Sequence, residues 1–160
     1  MSPSSSRTEG VFEPLGVAEV ALMWQSRFGI SEEVFSGCSF YKKAQSIWIC
    51  SNASLPRLSF ETIGLRMISL KDRPWKPTTA ALRIFGKHAT KNVICLTLEQ
   101  AKIFMAGGSQ NIQPDSEVDS GYVAVMNGGR VLGCGLYSHG ELISQVPKES
   151  RTLLREGEDI

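Results

Sequence analysis

The residues best equipped to do chemistry in this sequence are cations. Between Arg73 and Leu98 stand Arg73, Lys76, Arg83, Lys87, Lys91 and the histidine His88, with no acid among them. Elsewhere the charge is balanced: residues 1–72 carry seven basic and seven acidic side chains, and the 160-residue chain has a formal net charge of +1. A one-sign stretch in a balanced protein suits phosphates, because Lys and Arg neutralise them and release counterions without demanding a base sequence. Lys76, Arg130, Lys148 and Arg151 extend this candidate surface. Tyr137 and His139 flank a turn and are candidates to stack on an unpaired base, with packing of Tyr137 on the fold as the alternative.

Other chemistry finds little footing. His88 and His139 are the only histidines, and neither is accompanied by a G-x-S-x-G elbow or a nucleophilic cysteine motif, so we expect no catalytic residues. Cys38, Cys50, Cys95 and Cys134 lack any C-x-x-C pairing, which argues against a zinc or disulfide framework. Asp115, Glu117 and Asp119 read as a solvated acidic loop rather than a metal site. No G-x-G-x-x-G or G-x-x-x-x-G-K-[ST] loop is present, so we expect no cofactor and no tightly bound S-adenosylmethionine. The longest apolar run near the start, Val17 to Trp24, is broken by Glu19, and Met1 to Glu13 is Ser-rich without an apolar stretch. These features point to neither a membrane span nor a signal peptide, and to a cytoplasmic protein.

The elements that would position the cations can be read from periodicity. Residues 1–13 are expected to form a disordered tail. An apolar face at helical spacing predicts a helix over 16–28 closed by Gly29, followed by a short helix begun at Ser31 and ending near Gly37. Strands are predicted at 46–50 and 64–70, completing an N-terminal α/β unit over 14–72. Arg73-Pro74-Trp75-Lys76-Pro77 interrupts both periodicities, so a boundary between two subdomains is expected there. Beyond it Thr78 or Thr79 caps a helix with Ala81, Leu82, Phe85 and Ala89 inward and Arg83 and Lys87 outward. A strand follows at 92–96, and Thr97 to Gln100 fits a capping box opening a helix that Gly107-Gly108 ends. Strands at 121–126 and 130–137 flank Asn127-Gly128, a strong hairpin signal, and a last strand at 141–146 stops at Pro147. Gly133 and Gly135 strip one face of the second of these strands, as where it bends or where a backbone or ligand approaches. The fold class is α+β, and residues 151–160 form a C-terminal tail.

Read in order, K-P-T-T-x-x-L-x-x-F-G, A-T-K-N-V, G-Y-V-A-V, G-R-V-L-G-C-G-L-Y and Q-V-P-K resemble a PUA domain over residues 74–150. The resemblance implies a small mixed β-barrel with short helices that binds RNA. With the unit in front, the chain looks like small archaeal ribosome-biogenesis proteins of pre-PUA plus PUA type. It is similar also to the C-terminal RNA-binding region of Sun-type RNA cytosine methyltransferases, whose catalytic core has no counterpart here. In PUA domains the first helix and the following loop face RNA, which implies that role for Arg83, Lys87, His88 and Lys91. The expected function is therefore non-catalytic RNA binding in ribosome biogenesis or in maturation of rRNA or tRNA. Ribosome-assembly factors or an RNA methyltransferase would be further partners. The competing expectation is a protein–protein assembly module that recruits or supports an RNA-modification enzyme.

Overall fold

The computed structural model describes residues 12–51, 64–149 and 151. Of the tails expected over 1–13 and 151–160, residues 1–11 and 152–160 lie outside the described residues. The first part of the chain builds β1 (Glu13–Leu15), α1 (Val17–Phe28), a 3-10 turn (Glu32–Phe35), β2 (Cys38–Lys43), β3 (Ser46–Ser51), β4 (Leu65–Ser69) and β5 (Lys76–Pro77). These five strands form one antiparallel sheet in chain order. The second part builds α2 (Thr79–Phe85), a 3-10 turn (Gly86–His88), β6 (Val93–Cys95), α3 (Leu98–Met105), β7 (Ser109–Asn111), β8 (Gly121–Asn127), β9 (Arg130–Ser138) and β10 (Glu141–Ser144). Its sheet has the order β6-β8-β9-β10-β7, with β6 parallel to β8. The α+β class is as the sequence predicts.

Helix α1 forms where the apolar face predicts it, burying Val20, Ala21, Trp24 and Phe28 and ending as the Gly29 amide bonds the Gln25 carbonyl at 2.9 Å. Thr78 caps α2 with its hydroxyl oxygen accepting from the Ala81 amide at 3.1 Å, while its own proton goes to the Arg66 carbonyl at 2.8 Å. The capping box at α3 is complete: the Thr97 hydroxyl accepts from the Gln100 amide at 3.2 Å, and Gln100 Oε1 accepts from the Thr97 amide at 2.9 Å.

Several expectations are corrected. The helix expected after Ser31 is a single 3-10 turn. Glu13, assigned to the tail, opens β1 opposite Lys42, and Phe12 packs edge-on against Tyr41 and Trp48. β2 and β7 had no forecast; both are strands because a neighbour pairs with them, not because their own composition demands it. The final strand stops at Ser144, whose hydroxyl accepts from the Val146 amide at 3.2 Å and turns the chain away.

The proline-rich segment, whose Arg73–Pro74 bond is cis, runs on as β5 along β4, with Ile68 opposite Pro77. Helix α2 then packs against both β4 and β9. One core cluster accordingly joins Trp24, Phe28, Phe40, Ile49 and Met67 to Ala81, Leu82, Ala124 and Cys134. A second lies under α3 and contains Phe104, Val123, Val125, Leu132, Leu142 and Val146. Trp24, fully buried against Phe28, Phe35 and Trp75, has an indole N–H without a partner. Burying an indole removes on the order of 200 Å² from water, about 5 kcal/mol, which outweighs the roughly 1–3 kcal/mol cost of one orphan donor.

The cysteines are free and differ sharply: Cys95 is exposed, Cys38 and Cys50 are half-buried, and Cys134 is buried. Burial pushes the Cys134 thiol up to about 12, against a small opposing pull from Lys76 and Arg27. In the native protein iodoacetamide is expected to label Cys95 and to spare Cys134 until the chain is denatured, as peptide mass spectrometry would read. The raised value also links folding to pH, because the folded chain keeps this proton where the unfolded chain loses it. Its contribution is complete below the unfolded value near 9.0 and declines as pH rises toward 12. The decline is up to about 1.4 kcal/mol per pH unit, and denaturation of Cys134→Ala at the same pH values should lack it.

Candidate nucleic-acid interface

The basic residues are carried by α2, the turn after it and the β8–β9 hairpin. β9 carries one residue more than its partner: Val125 faces Gly133 and Met126 faces Val131, leaving Leu132 as the extra residue of a bulge. Arg83 Nε donates to the Leu132 carbonyl at 2.9 Å, so this side chain is anchored at the bulge. The Gly86–His88 turn lies on the same stretch, close enough that a Cβ on Gly86 would be 3.2 Å from a methyl of Val131. Arg130 stands beside Arg83. Burial, and then the Arg130 charge, lower the Arg83 pKa from its ordinary value. Residues far apart in sequence, Arg83, Lys87, His88 and Arg130, thus share one exposed edge.

Lys91 continues that edge toward the end of α1. It is exposed, and its amide bonds the Phe28 carbonyl at 3.2 Å. The segment around it is fixed by two residues that sequence reasoning passed over. Asn92 is buried, with Nδ2 donating to the Arg27 carbonyl at 2.6 Å and Oδ1 accepting from the Asp119 amide at 2.8 Å. Arg27 in turn donates from Nε to the Tyr122 carbonyl at 2.9 Å and from Nη2 to the Asp119 carbonyl at 3.0 Å. Burial lowers the Arg27 pKa, with nearby Asp119 acting in the opposite direction. The one signal for Asn92 in the sequence is its type, since asparagine tolerates the left-handed φ of 58° found there.

The remaining candidates lie elsewhere. Lys76 is half-buried: Nζ donates to Gln145 Oε1 at 2.9 Å and sits 5.6 Å from the centroid of the Tyr122 ring. It lines a cleft of about 190 Å³ with Arg66, Asp72, Thr78 and Gln145. Burial, and then the Asp72 carboxylate, raise the Tyr122 phenol above its ordinary value. Lys148 is exposed just past Pro147, which lines the same cleft. Arg151 is tethered, donating from Nε to the Val146 carbonyl at 2.8 Å and packing by Gly107. Tyr137 packs against the second core cluster, so the packing alternative describes it. His139 is exposed at the β9–β10 turn with a φ of 50°. Among the described residues no three His, Cys, Asp or Glu side chains converge as a metal site, and no helix is long and apolar enough to cross a membrane.

Comparison with known proteins bears on this arrangement. Residues 91–152 match the family model of the methyltransferase RsmF PUA domain. Among solved structures, the fold is similar to that of a conserved PUA domain protein from Thermoplasma acidophilum. The TM-score is 0.55 at 13% sequence identity, and the match covers 88% of this chain and 98% of that one. No curated protein sequence matches the chain. The PUA resemblance seen in the sequence motifs therefore extends to the fold, first sheet included.

Proposed function

We propose that this PUA-domain chain is a non-catalytic RNA-binding protein that grips phosphates through Arg83, Lys87, His88, Lys91 and Arg130. The observation that carries the reading is the closeness of Arg83, anchored on the Leu132 carbonyl, to Arg130 two residues along the same strand, two like charges whose repulsion helps lower the Arg83 pKa. Such an arrangement is costly alone and becomes favourable when an anion lies across it. Lys76 and Lys148 extend the contact toward the cleft, while Arg83 has a structural duty as well as an RNA-binding one. The RNA it binds is ribosomal or transfer RNA during maturation in the cytoplasm, in a ribosome-biogenesis role. The shared architecture with a PUA domain protein supports the RNA-binding part of this reading.

About four phosphate contacts with single-stranded RNA give a slope of log K against log salt near −3, at roughly −0.7 per phosphate. Lys87→Ala/Lys91→Ala should weaken binding and bring that slope to about −1.5. Both side chains are exposed, so thermal stability should be unchanged. Lys102→Ala, on an exposed position of α3, is the control. An unchanged affinity and slope in the double variant would remove this surface from consideration and favour the protein-assembly alternative.

A further inference from the structure

We propose that the outer face of the first sheet is a stacking platform for single-stranded RNA, used beside the basic edge. This rests on the RNA-binding reading and adds the class of RNA to it. Phe40, Ile47 and Ile49 are buried in the core beneath the sheet. By the pleat, their neighbours Tyr41 and Trp48 point to the other face, and both are half-buried. Register places them side by side: Tyr41 is directly opposite Trp48, which is opposite Arg66 on β4. Phe12 stands edge-on to both rings, with centroids 6.3 Å from Tyr41 and 5.8 Å from Trp48.

Cations are interleaved with these rings. Lys43 Nζ lies 4.8 Å from the Phe12 centroid, and exposed Arg66 donates from Nε to Ser46 Oγ at 3.0 Å. The paired residues on this face include no carboxylate, since Glu13 lies on the opposite parity with Leu15. Aromatic faces for bases, with basic groups at the spacing of a backbone beside them, are what an unpaired strand needs and a duplex cannot use. A protein ligand would be met as well by the rings alone; Lys43 and Arg66 on this face outnumber the one carboxylate beside them, Asp72 in the cleft it shares with Arg66, and that balance favours a polyanion.

The test is ultraviolet crosslinking of the whole protein to an oligouridylate of roughly eight nucleotides, a length within the usual range for one small domain, with peptide mapping of the adducts. Adducts at Tyr41 or Trp48 are expected. In parallel, Tyr41→Ala should bind that oligonucleotide about ten-fold more weakly, a loss typical of one base–aromatic stack, while its affinity for an RNA duplex stays unchanged. Because crosslinking uses the unaltered chain, it decides the matter even if Tyr41→Ala loosens the sheet. Adducts confined to the Lys87–Lys91 region would overturn the platform and leave the RNA-binding proposal standing. Absence of binding to either RNA at low salt would overturn both. A protein ligand captured on this face and lost in Tyr41→Ala, with no RNA adduct there, would likewise overturn the platform.

Discussion

Gly135→Val is expected to leave little folded protein, and Gly135→Ala to survive with a lowered urea midpoint. A Cβ at this position would lie 2.7 Å from Leu142 Cδ1, 3.0 Å from Val125 Cγ2 and 3.2 Å from Phe104 Cε1. All three belong to the second core cluster and are fully buried, and interiors packed to crystal-like density yield little to an added carbon. The Leu142 methyl can swing aside, which holds the cost of alanine to about 1–3 kcal/mol. Valine adds two further carbons against the Val125 and Phe104 contacts and should cost more than that range. Circular dichroism with urea titration reads both outcomes; a valine variant as stable as the native protein would show that the core relaxes far more than its packing implies.

Asn92→Leu should be the second most damaging change. It keeps the branched shape and the number of heavy atoms but removes both hydrogen bonds, leaving the Arg27 carbonyl and the Asp119 amide without the partners they had. Each stranded group costs about 1–3 kcal/mol. The left-handed backbone, with its φ of 58°, adds about 1–2 kcal/mol for leucine. The expected loss is about 3–8 kcal/mol, measured by denaturant melts. Asn92→Asp keeps the acceptor for the Asp119 amide and the tolerance of this φ but sets a carboxylate oxygen against the Arg27 carbonyl in a buried site, so it too should lose stability, and less at acidic pH, where that oxygen takes a proton and can donate. Equal losses at neutral and acidic pH would mean that the bond to Arg27 contributes little.

What the sequence revealed followed from signals that are local. The Thr97–Gln100 box, the Gly29 stop and the Asn127-Gly128 hairpin are each decided within a few residues, and the structure has all three. β2 was illegible because C-S-F-Y-K-K offers a single large inward side chain, Phe40, and becomes a strand through its pairing with β1 and β3. The side-chain-poor face of β9, at Gly133 and Gly135, is legible in the sequence as a gap, but not what fills it. Side chains do: Thr79 and Val146 over Gly133, and Leu142, Val125 and Phe104 over Gly135. At the candidate interface, the cluster at Arg83, Lys87 and His88 followed from chain proximity. Its junction with Arg130 depends on a bulge that no pattern in the sequence announces. Asn92 and Arg27 were missed for a similar reason, as their partners are 27 to 95 residues away.

The position of α2 also limits how such a chain can be rearranged by recombination. The segment matched to the PUA family begins at residue 91, whereas Ala124 and Cys134 at its centre are roofed by Ala81 and Leu82 from upstream. A crossover at residue 91 would hand the downstream half a different roof, and Thr79, whose hydroxyl accepts from the Cys134 amide at 3.1 Å, would be lost with it. Exchangeable inheritance in this architecture therefore starts no later than the Thr78 cap. The surfaces of Phe35 and Met67 that meet α2 must then change in concert with whatever arrives.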